Sequence, residues 1–290
     1  MVASIPPEVF QQIEMLTNSR ITAFAFAGGG CINRGGRLTT DQGRFFLKWN
    51  DAIKFPGMFA SEARGLSLLR ACNSMTVPEV IHEGFVNGIQ FLLLEYIDGR
   101  EKASGYWEHF GAGLALLHRQ PSATFGLDHD NYIGALPQSN SPDSSWVEFF
   151  VGRRLQAQLD LALNNGKIDH GVYAKFQNLF QKLPSLLPQE APSLLHGDLW
   201  GGNLMTDGSG QPCLIDPAVY YGHREVDLAM TQLFGGFDRL FFESYNNGYP
   251  LIPGYRERFD IYNLYPLLVH LNLFGRAYHS RVVSILEEFV

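Results

Sequence analysis

The stretch "LLHGDLWGGNLM", Leu194 to Met205, sets a histidine, an aspartate and an asparagine among leucines and glycines. His196, Asp198 and Asn203 stand at the spacing H-x-D-x-x-x-x-N, and Asp216 follows 13 residues after Asn203 in "CLIDP". Polar groups in apolar surroundings cost free energy unless they are bonded or bind something. A carboxylate at an attacking hydroxyl, with a second carboxylate and an amide as oxygen ligands for magnesium on nucleotide phosphates, is the inventory of phosphoryl transfer. Asp198, Asp216 and Asn203 supply it. The run "CLI" predicts that Asp216 ends a buried strand, where a cation would offset the burial of its charge. Gly201 and Gly202 predict a sharp turn, and Trp200 is placed to line an acceptor site. The plain alternative makes His196 and Asp198 turn and capping residues and Asn203 a structural amide.

Upstream features favour the chemical reading. Lys48 lies inside the apolar strand "FFLKWN", where a lone lysine usually reaches back to the surface. On a helix predicted over 58–71, Glu62 shares the inward stripe of Phe59, Leu66 and Leu69. An acid on a core-facing stripe needs a cation, and Lys48 could pair with it while reaching nucleotide phosphates. "GGGCINRGGR" (28–37) joins two predicted strands, and the backbone at Gly28, Gly29 and Gly30 could approach phosphate unobstructed. It matches neither G-x-G-x-x-G nor a Walker A sequence. In "LLLEYIDG" (92–99), backbone groups of Glu95 and Ile97 could hydrogen-bond an adenine, though an ordinary strand end has the same letters.

The rest of the chain gives these motifs an architecture. Its 290 residues, 46% hydrophobic and 18% charged, suffice for one large domain or two lobes. A short helix starts at Pro6-Pro7. Strands are expected over 21–30 and 43–50, and an Asn-Gly hairpin within 85–97. Helical periodicity follows at 104–119, 144–164 and 169–182, then from 224 onward, with Pro-containing loops at 137–142 and 184–192. The fold class expected is α+β: a small β-rich nucleotide-binding lobe over 1–98 and a larger, mostly helical catalytic and acceptor-binding lobe over 99–290. With 22 basic and 29 acidic residues the net charge is −7, which argues against nucleic acid or anionic lipid as partner. No signal peptide or 18-residue apolar run occurs, and Cys31, Cys72 and Cys213 form no C-x-x-C pair. A soluble cytoplasmic protein is expected.

Glycine loop, strand lysine, helix glutamate, H-x-D-x4-N and a later aspartate follow the order of kinase parts. "GGGCIN", "FFLKWN", "SEARGL", "FGLDHDNYIG", "WVEFF", "LLHGDLWGGN", "IDPAVYYGHREVDLAMTQLFGGF" and "YNNGYP" resemble the fructosamine kinase and ketosamine-3-kinase family, of aminoglycoside-phosphotransferase-like fold. The resemblance implies ATP- and Mg2+-dependent phosphorylation of the 3-hydroxyl of a ketosamine, on a small amine or a protein lysine. The phosphorylated adduct is unstable, so the implied role is deglycation. It also implies Asp198 as base, Asn203 and Asp216 as magnesium ligands, Lys48 with Glu62 as the phosphate-orienting pair, and Trp200 in the sugar pocket. Asp227 would support the catalytic loop and His223 would lie near the acceptor side. Glu225 reads equally well as a helix N-terminal charge, and His118 reads as a packed core histidine.

Two departures carry expectations. Residues 34–38, "RGGRL", have a glycine where the family pattern has an aromatic before the arginine, which predicts a more mobile phosphate loop. Asp216 is followed by Pro217 rather than Phe-Gly, which fits a small-molecule kinase better than a protein kinase. Cys31, in the glycine loop, could form a redox-linked dimer of an otherwise monomeric or weakly dimeric protein. The alternatives are a kinase of the same fold acting on an aminoglycoside, choline or a sugar, and a nucleotide-binding pseudokinase. A metal-dependent hydrolase ranks below them, because H-x-H and H-E-x-x-H are absent and the strand lysine would be unexplained.

Overall fold

The structure is a computed structural model that describes residues 5–27 and 33–289. The chain divides into two compact units, Met1–Ser104 with Met205–Asp216, and Gly105–Leu204 with Pro217–Val290. The division drawn from sequence lies at 98/99. The contacts carry the first unit to Ser104 and return 205–216 to it.

The first unit begins with α1 (Pro7–Thr17), which has proline at its first position and ends at Asn18 with φ 45°. A five-stranded antiparallel sheet follows: β1 (Ile21–Phe26), β2 (Arg34–Thr40), β3 (Arg44–Asp51), then α2 (Met58–Ala71), β4 (Val80–Val86) and β5 (Ile89–Glu95), in the spatial order β1-β2-β3-β5-β4. Asn87 (φ 48°) and Gly88 (φ 80°) make the β4–β5 turn, the positive-φ pair that a two-residue hairpin needs. Val9 and Ile13 of α1 pack with Phe24, Leu38, Leu47, Trp49, Phe91 and Leu93 into one core. Side chains alternate along a strand, so Lys48 points to the face opposite Leu47 and Trp49. A hairpin of Leu204–Thr206 and Pro212–Leu214 completes the unit. It is tied in by the Leu214 N–H to the Thr76 carbonyl (2.9 Å) and by the Thr76 hydroxyl to Asp207 (2.7 Å).

The segment 34–38 is strand rather than loop, and residues 28–32 of the phosphate loop lie outside the described residues. Arg34 to Leu38 pair in register with Trp49 to Phe45, and Phe26 lies across from Gly36. A Cβ on Gly36 would sit 2.2 Å from the Ala25 carbonyl oxygen. The missing aromatic therefore goes with a backbone approach that only glycine permits.

The second unit is mainly helical: α3 (Tyr106–His118), α4 (Trp146–Phe149) continuing through a π-helical stretch Phe150–Leu155 into α5 (Gln156–Asn164), α6 (His170–Leu186), α7 (Glu225–Leu233), α8 (Arg239–Gly248), α9 (Tyr255–Phe274) and α10 (His279–Phe289). Asp169 caps α6 by accepting the Val172 N–H at 2.8 Å. The π-helical stretch carries the fully buried Arg154, bonded to the Ser139 carbonyl and the Asn140 side chain, both at 2.6 Å. Two expectations fail here. Pro184 lies inside α6 rather than in a loop, and Pro137 sits in a short strand, Leu136–Gln138, paired with Asn131–Ile133. Among the described residues no helix is long and apolar enough to cross a membrane.

Candidate active site

In the first unit, Lys48 is 6% exposed on β3 and forks between two carboxylates. Its Nζ lies 2.7 Å from Glu62 Oε1 and 2.5 Å from Asp216 Oδ1. Helix α2 presents Glu62 on the stripe expected, with Phe59, Leu66 and Leu69 buried beside it. Burial opposes the ammonium charge, but Asp216 and Glu62 outweigh it and hold the Lys48 pKa above the usual lysine value. Burial pushes Glu62 above the usual carboxylate range, against the pull of Lys48. Asp216 is half-exposed rather than buried, so the strand end leaves its carboxylate near solvent. Its backbone has φ 53°, a strained value for a residue with a side chain and one that recurs at functional sites.

Glu95 ends β5, and its N–H is bonded to the Glu79 carbonyl at 2.9 Å. Ile97 follows, buried. Gly28, Gly29, Gly30 and Cys31 lie outside the described residues.

In the second unit, the loop after the strand Ser193–Leu195 brings Asp198, Trp200 and Asn203 together. Asn203 Nδ2 donates to Asp198 Oδ2 and to the Asp198 carbonyl, both at 2.8 Å. A one-turn 3-10 helix, Gly201–Asn203, brings the amide back to the carboxylate. A Cβ on Gly202 would lie 2.3 Å from the Trp200 ring, so the indole lies against the bare glycine.

Behind the loop, Asp227 Oδ2 accepts the His196 N–H at 2.7 Å, and His118 Nε2 lies 3.1 Å from the same oxygen. His118 Nδ1 reaches the Tyr245 hydroxyl at 2.8 Å, and His118 is buried, as its core reading expects. Glu225 stands at the N-terminus of α7, as its reading as a helix N-terminal charge expects. It is fully buried and holds Arg258 bidentately, Oε1 to Nη2 at 2.5 Å and Oε2 to Nε at 2.8 Å.

His223 lies in the interior of the second unit. It is wholly buried, stacked on Tyr262 with ring centroids 5.4 Å apart, and its Nε2 is 3.7 Å from Glu190. Burial lowers its pKa to about 3 despite Glu190. Glu190 also binds Arg224 through both its oxygens, at 2.7 and 2.8 Å. Its segment reads from sequence as a loop, and a lone glutamate in "LPQEAP" carries no signal of this role.

The first unit thus presents a lysine held between a glutamate and a strained aspartate, and the second a pinned carboxylate–amide pair next to an indole. A profile of the fructosamine kinase family matches residues 6–290. The chloroplastic protein-ribulosamine 3-kinase of Arabidopsis thaliana is 38% identical over 278 residues, covering 94% of this chain and 84% of that protein. The solved structure of a Thermobifida fusca protein assigned as a fructosamine-3-kinase matches with a TM-score of 0.87 at 34% identity, over 96% of this chain and 97% of that one. A thermostable aminoglycoside phosphotransferase in ternary complex with AMP-PNP and hygromycin B has the same fold, with a TM-score of 0.64 at 16% identity over 96% and 98% of the two chains. With both sets of residues in place and the match running nearly end to end, the chain belongs to the fructosamine kinase family.

Proposed function

We propose that this protein uses ATP to phosphorylate the 3-hydroxyl of ketosamines on small amines or protein lysines, a step that leads to deglycation. The observation that carries the reading is the buried Lys48 shared between Glu62 and Asp216. A lysine so held is a fixed cation for nucleotide phosphates. Family membership supplies the acceptor class, through relatives named for ribulosamine and fructosamine.

In this reading Asp198 is the base. The acceptor oxygen attacks the γ-phosphorus, its proton passes to the Asp198 carboxylate, and the bond from phosphorus to the ADP oxygen breaks. Asn203 fixes the plane of that carboxylate, and Asp227 fixes the backbone ahead of it. Lys48, oriented by Glu62, binds phosphate oxygens. Backbone groups of Glu95 and Ile97 bind adenine, and phosphate contact is assigned to the backbone of Gly28, Gly29 and Gly30, which lie outside the described residues. Trp200 lines the sugar pocket. His223 receives no acceptor contact, because its ring is wholly buried.

Magnesium fits the donor chemistry of Asn203 and Asp216. The ion takes one or two protein oxygens and completes its shell with water and phosphate, so it needs no cage of side chains. Bound there, the ion would neutralise phosphate charge.

The same reading takes the protein to be cytoplasmic, a monomer or weak homodimer, with Cys72 and Cys213 as free thiols. A dimer linked through Cys31 is tested by non-reducing electrophoresis after peroxide: a dimer band that Cys31→Ser abolishes supports it, and a pattern that Cys31→Ser leaves unchanged overturns it.

The deciding experiment is magnesium-dependent ADP release with ribulose-lysine, fructose-lysine, kanamycin and choline in parallel, with Asp198→Ala as control. Turnover of a ketosamine alone, reduced at least a hundredfold in the variant, is expected. Turnover of kanamycin or choline alone moves the acceptor assignment, and tight ATP binding without turnover makes the protein a pseudokinase.

A further inference from the structure

Trp200 begins a continuous row of partly exposed rings within the second unit. Its indole meets Phe234 edge-on, with centroids 5.9 Å apart. Phe234 lies 4.9 Å from His270, and His270 lies 5.5 Å from Phe274 and 5.0 Å from Tyr278. Trp200 is 39%, Phe234 41% and Phe274 52% exposed. Large apolar side chains in contact with one another at a surface are costly to keep without a use. The row combines the catalytic loop, the residue just past α7, the last two turns of α9, and the turn before α10.

His270 belongs to the apolar character of the row. Its Nδ1 donates to the Pro266 carbonyl at 2.7 Å, and burial lowers its pKa, so at neutral pH the ring stands uncharged among the aromatics.

The row starts two residues after Asp198. Every ketosamine carries a secondary ammonium four bonds from its 3-hydroxyl oxygen, about 5 Å at full extension for bonds of about 1.5 Å. With the hydroxyl at Asp198, the nitrogen and whatever it bears must leave the loop within one ring's reach. An ammonium is attracted to aromatic faces, and a methylene stem packs on them.

Resting on the ketosamine reading, we propose that Phe234, His270, Phe274 and Tyr278 continue from Trp200 as the binding surface for the amine side of the substrate. The row holds the cationic nitrogen and the apolar stem beyond it. It thereby sets the preference among amines, while the catalytic loop reads the sugar.

The test uses ribulose adducts of methylamine, Nα-acetyl-lysine and 4-phenylbutylamine, which share the sugar and differ only beyond the nitrogen. For the wild type, kcat/KM is expected to rise from the first adduct to the third. Phe274→Ala should reduce the ratio of the third to the first about tenfold, mainly through KM, the equivalent of about 1.4 kcal/mol. Phe274→Lys should lower kcat/KM for all three adducts by repelling the ammonium they share, and Phe274→Leu should restore part of the ratio. Phe274 is half-exposed, so these variants keep the fold, which circular dichroism checks. Equal kcat/KM for all three adducts, or a ratio unmoved by Phe274→Ala and Phe234→Ala, overturns the proposal and leaves the kinase reading standing. A wild type that turns over no adduct refutes the ketosamine reading and this inference with it.

Discussion

Asp227 Oδ1 accepts the backbone N–H of Gly197 at 2.9 Å. With the bond from His196 N–H to Oδ2, one carboxylate fixes two successive peptide planes just ahead of Asp198. Asp227→Asn would turn an amide NH2 toward a backbone donor and leave a buried group unsatisfied. The expected outcome is a loss of about 2 kcal/mol in urea unfolding. We also expect a fall in kcat of roughly a hundredfold, with the KM for ATP little changed. An unaltered kcat would show that the loop holds its geometry without this anchor.

Lys48 and Glu62 separate stability from catalysis. Lys48→Met leaves Glu62 buried without its cation, and a loss of about 3 kcal/mol is expected. Lys48→Met with Glu62→Gln removes both charges and should recover most of that stability, since Asp216 is half-exposed and can be solvated. Activity should stay at least a hundredfold down in both, because neither offers a cation to phosphate. Chemical denaturation and ADP-release assays on the two variants make the comparison. An active double variant would remove Lys48 from the mechanism.

Gly36→Ala puts a Cβ within 2.2 Å of the Ala25 carbonyl. The β1–β2 pairing must shift, at a cost of about 1–3 kcal/mol. Differential scanning fluorimetry should show a lower Tm, and a variant as stable as the parent would mean that the strands slide apart freely.

His223 makes stability pH-dependent. Its folded pKa, about 3, lies below the usual histidine value of 6.5, so between these values the unfolded chain binds the extra proton. The stability contributed by the neutral ring is complete above pH 6.5 and is lost as pH falls toward 3. Between pH 7.5 and 5.5 this amounts to about 1 kcal/mol. His223→Gln should flatten the urea midpoint across that interval, and an unchanged slope would place the proton uptake elsewhere.

Much of the fold was legible because its signals are local. Helix α2 matches the periodicity over 58–71, and the Asn87-Gly88 turn falls where the dipeptide places it. The inward Glu62 and the buried Lys48 followed from alternation and from the helical stripe, both consequences of backbone geometry. Strand β2 was not legible, since two adjacent glycines read as loop while a cross-strand approach makes them strand. Pro184 and Pro266 sit inside helices, where tertiary packing overrides the local signal. The pairings Glu225–Arg258 and Glu190–Arg224 span 33 and 34 residues. Nothing in either segment announces its partner, and the aromatic row from Trp200 to Tyr278 was invisible for the same reason.

The hairpin 205–216 gives the protein a timetable. The β-rich unit ends its first visit at Ser104 but acquires the partner of Thr76 and the second carboxylate of Lys48 only with residues 207 and 216. On a ribosome adding about 5–20 residues per second, that wait is roughly 6–22 s. During it, the hundred residues 105–204 of the other unit are made while Lys48 has only Glu62. The nascent sheet is thus an unfinished product, and a fragment cut at residue 104 would capture that stage.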